Sequence, residues 1–514
     1  MQHDSKLTID GHPLTPEQAA IVQAARDSSV RVQALAGTGK TSTLRAIVAD
    51  TPAHVRTTYL VFNRKMREAA ERTFDARRVN VKTFHGLAKA GTARRFRGRT
   101  PDAVRTRDLR TILGSVSAAG KPLSRGETLT AIADTLRKFL QSDAPDVHRD
   151  HVPYRVRRKL HDEAVSTVLK EAVFVDGAGN VSARGQAEIN NNVGSALRYI
   201  VERARTAYQT YADPSAGRAL AIPHDVYLKA WQLSGADIDC DLLLVDEAQD
   251  LNPVMVDIVA QQRRARVIAV GDSRQQIYTF RGSVDALERL AGTELPLTTS
   301  FRFGPDIADR ANDLLHILGS PYLLTGRGPR SRAFDANAPY CELFRTNAAL
   351  LETLVEAVQA GRKVHCTRAI GPLVRLLRDL LAFDAGNADE AHDPRVRYAS
   401  DWDGLRDDLA DDTDAAPLVA MVEKSPHRAE GVADALEGFR STPIARADVA
   451  MTTAHQSKGL EFDQVALSRD FGGRLSQGDE EKRLLYVAMT RGKRAMDVPG
   501  VVSGDIRKAM TEAA

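Results

Sequence analysis

Cysteine, long apolar runs and an excess of either charge are all in short supply in this chain. Its three cysteines, Cys240, Cys341 and Cys366, are scattered over 514 residues with no C-x-x-C spacing. They imply neither a disulfide framework nor a zinc or iron–sulfur site, and a reducing compartment fits them. No apolar stretch approaches the ~18 residues of a membrane helix, and Met1–Lys6 is polar, so neither a membrane span nor a secretory leader is expected. Lys plus Arg total 71 against 67 Asp plus Glu, a net of +4, so bulk charge does not announce a polyanionic partner. No tandem repeat is visible, which argues against a solenoid.

What is present is uneven. Arg94, Arg95, Arg97, Arg99, Arg105, Arg107 and Arg110 crowd one stretch, and Arg155, Arg157, Arg158 and Lys159 another. Acidic residues gather instead in Asp401–Asp414. Such runs are either solvated faces or polyanion-facing surfaces. The length allows more than one domain with ample core.

The most informative segment is Ala34–Thr41, ALAGTGKT. It follows the β-branched run Val30–Leu35 and opens the helix-prone run Ser42–Asp50. A strand that ends in a glycine loop and enters a helix aims backbone N–H groups and the positive helix end at one point, where polyphosphate binds. Ala36, Gly37, Thr38, Gly39 and Ser42 are the expected cradle. Lys40 would reach the β/γ-phosphates and Thr41 would offer a hydroxyl to Mg²⁺. Ala34 replaces the usual first glycine. About two hundred residues later, Asp241–Glu247 reads as a short buried strand ending in two carboxylates. Asp246 is suited to Mg²⁺ and Glu247 to polarising a water; alone, such a pair is more often a solvated strand end. Together with Lys40 and Thr41 it points to a nucleotide triphosphatase, with something large inserted between the two halves of the site.

Strand-like and helical runs alternate elsewhere: Thr57–Phe62 then Lys65–Phe74, Leu242–Val245 then Pro253–Gln262, Arg266–Val270, Tyr340–Phe344, Val449–Thr453 and Gln464–Ser468. This predicts an α/β fold with parallel sheets. The expected division is a first lobe of residues 1–90 and 206–296, interrupted by a basic helical insertion at 91–205. A second lobe of residues 297–370 and 447–514 is interrupted by a short insertion at 371–446.

The ordered set Leu14–Gln18, Ala34–Thr41, Val61–Asn63, Lys82–His85, Val245–Asp250, Val270–Gly282, Ser300–Phe303, Phe344–Asn347, Thr453–Phe462 and Leu485–Arg491 resembles a UvrD/Rep-type superfamily 1 DNA helicase. His224–Trp231 and the Gln275–Arg281 run turn that likeness toward the F-box DNA helicase group, for the motor alone; no F-box-like segment is expected ahead of Gln18. The resemblance covers both lobes but neither insertion. It implies two RecA-like P-loop lobes, ATP with Mg²⁺, and single-stranded DNA or single/double-strand junctions as partner. It also implies 3′→5′ movement and a cytoplasmic, nucleoid-associated (in a eukaryote, nuclear) location, and leaves room for a loading or accessory protein.

By the same resemblance, Gln18 selects adenine, with an amide that can donate and accept on the base edge, and Phe301 stacks on that base. Glu461 holds the ribose, and Gln275 senses the γ-phosphate. Arg302 and Arg491 reach the γ-phosphate from the second lobe. Phe62, Asn63, Thr83, His85, Tyr278, Phe280, Arg281 and His455 line the strand, held by ring stacking and phosphate contacts. A core role is an equal alternative for Phe62 and Tyr278. The short second insertion leaves two readings of the motor open, strand separation or displacement of bound proteins. A DNA-binding scaffold without turnover is the third, against which the intact polar set argues.

Overall fold

The computed structural model describes residues 8–513 apart from 10, 100, 103–105, 121, 177, 216–219, 279–281, 400 and 410–411. Six strands form the first sheet: β1 (Val30–Ala34), β2 (Thr57–Val61), β3 (Val79–Thr83), β4 (Leu242–Val245), β5 (Arg266–Gly271) and β6 (Thr293–Leu297). Their spatial order is β6-β1-β5-β4-β2-β3, parallel throughout. A parallel sheet is covered on both faces, and β4 shows why its sequence is continuously apolar. Leu242 and Leu244 enter one core, with Ile21, Leu44 and Ile47 of the flanking helices. Leu243 and Val245 enter the other, with residues of the helical insertion.

The second sheet has five strands: β7 (Tyr340–Phe344), β8 (Val364–Cys366), β9 (Val449–Thr453), β10 (Phe462–Leu467) and β11 (Gly492–Asp497). Their order is β8-β9-β7-β10-β11, again all parallel. The fold is therefore α/β with two parallel-sheet lobes. The lobes meet in a shared core, where Leu35, Ala36 and Ile277 of the first pack with Phe303, Leu343, Leu485 and Tyr486 of the second.

In a parallel sheet every C-terminal strand end lies along one edge, where ligands bind. The glycine loop leaves β1, Phe62 leaves β2, Asp246 and Glu247 leave β4, Asp272 leaves β5, and Ser300–Arg302 follow β6. This topology is how segments hundreds of residues apart reach one site.

The first insertion is built from helices Thr106–Leu113, Arg125–Gln141, Tyr154–Leu169 and Ala183–Ala212. The last runs unbroken through residue 205, and we propose 212 as the insertion's end. The arginine-rich stretch before it is partly structural. Arg99 is buried and donates to the carbonyls of Tyr211 and Leu220, while Arg95 donates to Ala212 O. The Tyr211 and Ala212 carbonyls are orphans at the end of a long helix, natural partners for guanidinium groups. Arg94, Arg97 and Arg110 remain exposed, and Arg105 lies outside the described residues. The second basic run is spent within the insertion: Arg155 pairs with Asp134, Arg157 with Asp150, Arg158 with Asp162 and Lys159 with Glu127.

Helix His224–Leu233 ties this insertion to the lobe through Lys229, which is fully buried. Its ammonium donates to Ser142 O (2.9 Å) and Ala144 O (2.5 Å) and sits 4.7 Å above the Phe139 ring. Burial lowers its pKa to about 8, against the opposing pull of Asp143 and Asp257. A lysine with a folded pKa below its unfolded value releases a proton on folding, so stability rises with pH between the two values. Denaturation midpoints should therefore climb as pH passes from about 8 toward 10.5. That increment should be absent in Lys229→Met; an identical pH trend in both proteins would show that Lys229 is not its source.

Candidate functional site at the junction of the two lobes

The glycine loop adopts a conformation that only this sequence pattern allows. Gly37 and Gly39 have φ of +74° and +82°, left-handed values that favour glycine. A Cβ on Gly37 would stand 2.5 Å from Ser300 Oγ and 2.6 Å from Arg302 Cβ. Helix Lys40–Asp50 begins at Gly39 with no side-chain cap, so its first N–H groups point into the loop without a side-chain acceptor. Lys40 Nζ lies 3.8 Å from Glu247. Free helix N–H groups, a lysine and a backbone cradle are a donor set that fits polyphosphate.

Gln18 is buried, not a surface helix residue. It forms a capping box with Thr15, and its Nε2 donates to Thr43 Oγ1 at 3.3 Å. The same nitrogen lies 3.3 Å from the Cβ direction of Gly39, so the amide borders the loop. Phe301 is 47% exposed, although its N–H donates to Gly37 O at 2.9 Å. An open apolar ring beside the loop is a platform for a base.

The two carboxylates after β4 are inequivalent. Tyr59 on β2 donates its hydroxyl to Asp246 Oδ2 at 2.5 Å. Burial and the neighbouring Glu247 charge push Asp246 upward. Burial also opposes ionisation of Glu247, yet Lys40 and Lys458 outweigh it and hold this carboxyl below its usual range. Glu247 is the one non-glycine among the described residues with positive φ, +50°. Strain of that kind persists where surrounding structure fixes a side chain in place. Thr41 and Asp246 suit an octahedral Mg²⁺, which draws most of its ligands from phosphate and water rather than from a protein cage. No cluster of three or more His, Cys, Asp or Glu suited to a metal occurs among the described residues.

The second lobe reaches into this site. Arg491 is 2% exposed; its guanidinium donates to Gln275 Oε1 at 3.2 Å and Val487 O at 2.8 Å. Burial and the Arg302 charge lower it to about 9. Gln275 in turn donates to Asp272 Oδ2 at 2.6 Å. Arg302 is held by Glu461 at 2.8 Å and by Thr490 O at 2.9 Å. Tyr486 accepts the Ala36 N–H at 3.2 Å, a direct link from the second lobe to the glycine loop.

A cavity of about 730 Å³ lies at the same junction. Asn63, Lys65 and Tyr278 line it from the first lobe, and Arg345, Asn347, Arg368, His455 and Lys458 from the second. Tyr278 donates to His455 O at 3.1 Å, and Lys458 Nζ sits 5.4 Å above the Tyr278 ring. Phe62, Thr83 and His85 are outside that lining. Phe62 packs on the first-lobe core, Thr83 caps helix Phe84–Gly91, and His85 Nε2 lies 2.9 Å from Asp225 Oδ1. Phe280 and Arg281 lie outside the described residues.

Comparison with known proteins agrees with this two-lobe geometry. A family model described as an AAA domain matches residues 17–281, and one described as a UvrD-like helicase C-terminal domain matches residues 419–498. The chain carries a UvrD-like helicase motor. Among curated relatives, chicken (Gallus gallus) F-box DNA helicase 1 is 29% identical, over 94% of this chain and 48% of its own length. F-box DNA helicase protein 1 of Schizosaccharomyces pombe is 27% identical, over 94% of this chain and 57% of its own. The chain thus spans about half the length of these relatives. No helix among the described residues is long and apolar enough to cross a membrane.

Several residues of this UvrD-like site carry no sequence signal of their own. Tyr59 reads as an ordinary strand aromatic, and Tyr486 as a helix residue. Lys458 forms a buried pair with Asp250 across the lobes, with both N–O distances 2.7 Å, and also donates to Gln275 O at 3.0 Å. The signal was present only as membership of the segments Thr453–Phe462 and Val245–Asp250.

Proposed function

We propose that this chain is an ATP-driven motor that moves along single-stranded DNA, 3′→5′ by its family likeness, and couples hydrolysis to strand separation. The observation that carries this reading is the chain of contacts from Lys40 to Glu247, through Gln249 and Asp272 to Gln275, and on to Arg491, which draws on both lobes. A site assembled from two lobes is complete only when they close, so nucleotide binding and lobe position are one equilibrium.

In this reading Lys40 and the loop N–H groups hold the β- and γ-phosphates, Gln18 and Phe301 take the adenine, and Glu461 takes the ribose. Mg²⁺ at Thr41 and Asp246 would supply neutralising charge to the phosphates. Glu247, kept ionised, orients and polarises the attacking water. Arg302 and Arg491 stabilise charge on the transferred phosphoryl group, and Gln275 links that event to the strand side. The strand occupies the junction cavity, where Tyr278 and His455 offer rings and the basic residues offer phosphate contacts. Lys458, reaching from that cavity to Asp250 and Gln275 O, is a physical connection between the two functions.

The names of the F-box helicase relatives support DNA as the polymer and unwinding as the output. The second insertion favours one variant of the reading. It consists of short helices, the longest being Gly371–Asp384, sharing a core with β7, β8 and β9. A motor with so small an accessory unit is suited to displacing bound proteins. Strand displacement on a 3′-tailed duplex, run beside displacement of a protein from the same tail, separates the two. Unwinding without stripping supports the helicase, stripping without unwinding supports the translocase, and neither outcome, despite ATP hydrolysis, contradicts both.

A further inference from the structure

Three basic residues that line the junction cavity are already paired with carboxylates. Lys458 pairs with Asp250, Arg345 with Glu481 at 2.6 Å, and Arg368 with Asp414. The first two acids are buried, at 6% and 13% side-chain exposure, and belong to the motor lobes. Asp414 is different: its side chain is 44% exposed, it lines the cavity itself, and it comes from the acidic segment of the second insertion. Its two oxygens accept from the terminal Nη1 and Nη2 of the Arg368 guanidinium, end-on, at 2.7 and 3.1 Å, and Oδ1 also accepts from Asn347 Nδ2 at 2.8 Å. A carboxylate that accepts a guanidinium fork and an amide together occupies the geometry that a phosphodiester would take.

The turn carrying Asp414 is anchored from behind. Asp412 accepts the N–H groups of Asp414 and Ala415, and is itself paired with Arg395 within the insertion. The acid is therefore presented to the cavity by the insertion and not merely drawn in by Arg368. We propose that Arg368 and Asn347 form a phosphate-binding position of the strand track, and that Asp414 occupies it as an internal phosphate mimic until a strand displaces it. The insertion then regulates strand entry by charge competition. The inference rests on the reading of the cavity as the strand track.

The test is binding of a fluorescent oligothymidylate by the full chain, at several salt concentrations. Asp414→Asn should bind about two- to fivefold more tightly at low salt, the scale of an exposed ion pair removed as competitor. Arg368→Ala should bind more weakly, with a salt slope smaller by about 0.7, the contribution of one single-strand phosphate. The double variant should match Arg368→Ala, because the mimic has nothing left to mask. Asp403→Asn removes a charge from the same segment outside the cavity and should leave affinity unchanged. Asp414→Ala repeats the test should the asparagine variant fold poorly. No gain in either Asp414 variant, a gain that survives in the Arg368→Ala background, or an equal gain in Asp403→Asn would each overturn the mask. A wild-type chain that binds no oligonucleotide would instead overturn the motor reading beneath it.

Discussion

Arg491→Ala is expected to lower ATP turnover by about 10³-fold or more, while apparent nucleotide affinity changes far less. An arginine that meets charge developing on the transferred phosphoryl group contributes about 10³–10⁵ in rate, or roughly 4–7 kcal/mol of barrier. In the proposed motor, ground-state binding is served by Lys40 and the loop amides, so the loss should fall on kcat. Even lowered to about 9 by burial and by Arg302, the group stays cationic at neutral pH. Because Arg491 also satisfies Gln275 Oε1 in a buried setting, alanine removes that acceptor's guanidinium donor, whereas Val487 O keeps the Thr490 hydroxyl. Arg491→Lys keeps the charge, loses the planar fork, and should fold well while remaining slow. A fall in ATP affinity with turnover preserved would assign this guanidinium to nucleotide binding instead.

Glu247→Gln should lower turnover by about 10²–10⁴, the range for a positioned acid–base group, with ATP and oligonucleotide binding retained. Lys40 and Lys458 keep the carboxylate ionised against its burial, and the +50° φ aims it from the end of β4. Glutamine has the same shape but neither the charge nor the capacity to draw a proton from water. The variant should accumulate the strand-bound, ATP-loaded form, seen as oligonucleotide affinity that stays high in ATP instead of cycling. Turnover at the wild-type rate would remove Glu247 from the mechanism.

Much of this site was legible in the sequence because a parallel sheet turns strand ends into site positions. The loop after β1 and the paired acids after β4 needed only local pattern to be recognised. Arg302, Arg491 and Gln275 needed the ordered resemblance, since a lone arginine or glutamine carries no mark of what it faces. Contacts between distant segments were not legible. Nothing local shows that Tyr59 meets Asp246, that Lys458 crosses to Asp250, or that Asp414 meets Arg368. The arginine-rich stretch after Gly91 misleads for the same reason. A run of like charge cannot reveal that Arg95 and Arg99 face the carbonyl end of a helix more than a hundred residues away. His85, Thr83 and Phe62 belong to segments that the resemblance assigns to the nucleic-acid strand, and in the structure their side chains meet Asp225, a helix N-terminus and the first-lobe core.

In the proposed motor, one triphosphate clamped by both lobes is felt by a nucleic acid strand at their junction. Steady-state ATP hydrolysis by the unmodified chain, with Mg²⁺ and with or without single-stranded DNA, tests it most directly. Hydrolysis should be slow alone and should rise by about an order of magnitude or more when the oligonucleotide is added, a rise that Arg491→Ala abolishes. Hydrolysis at the same rate with and without the strand, or none in either case, would contradict it.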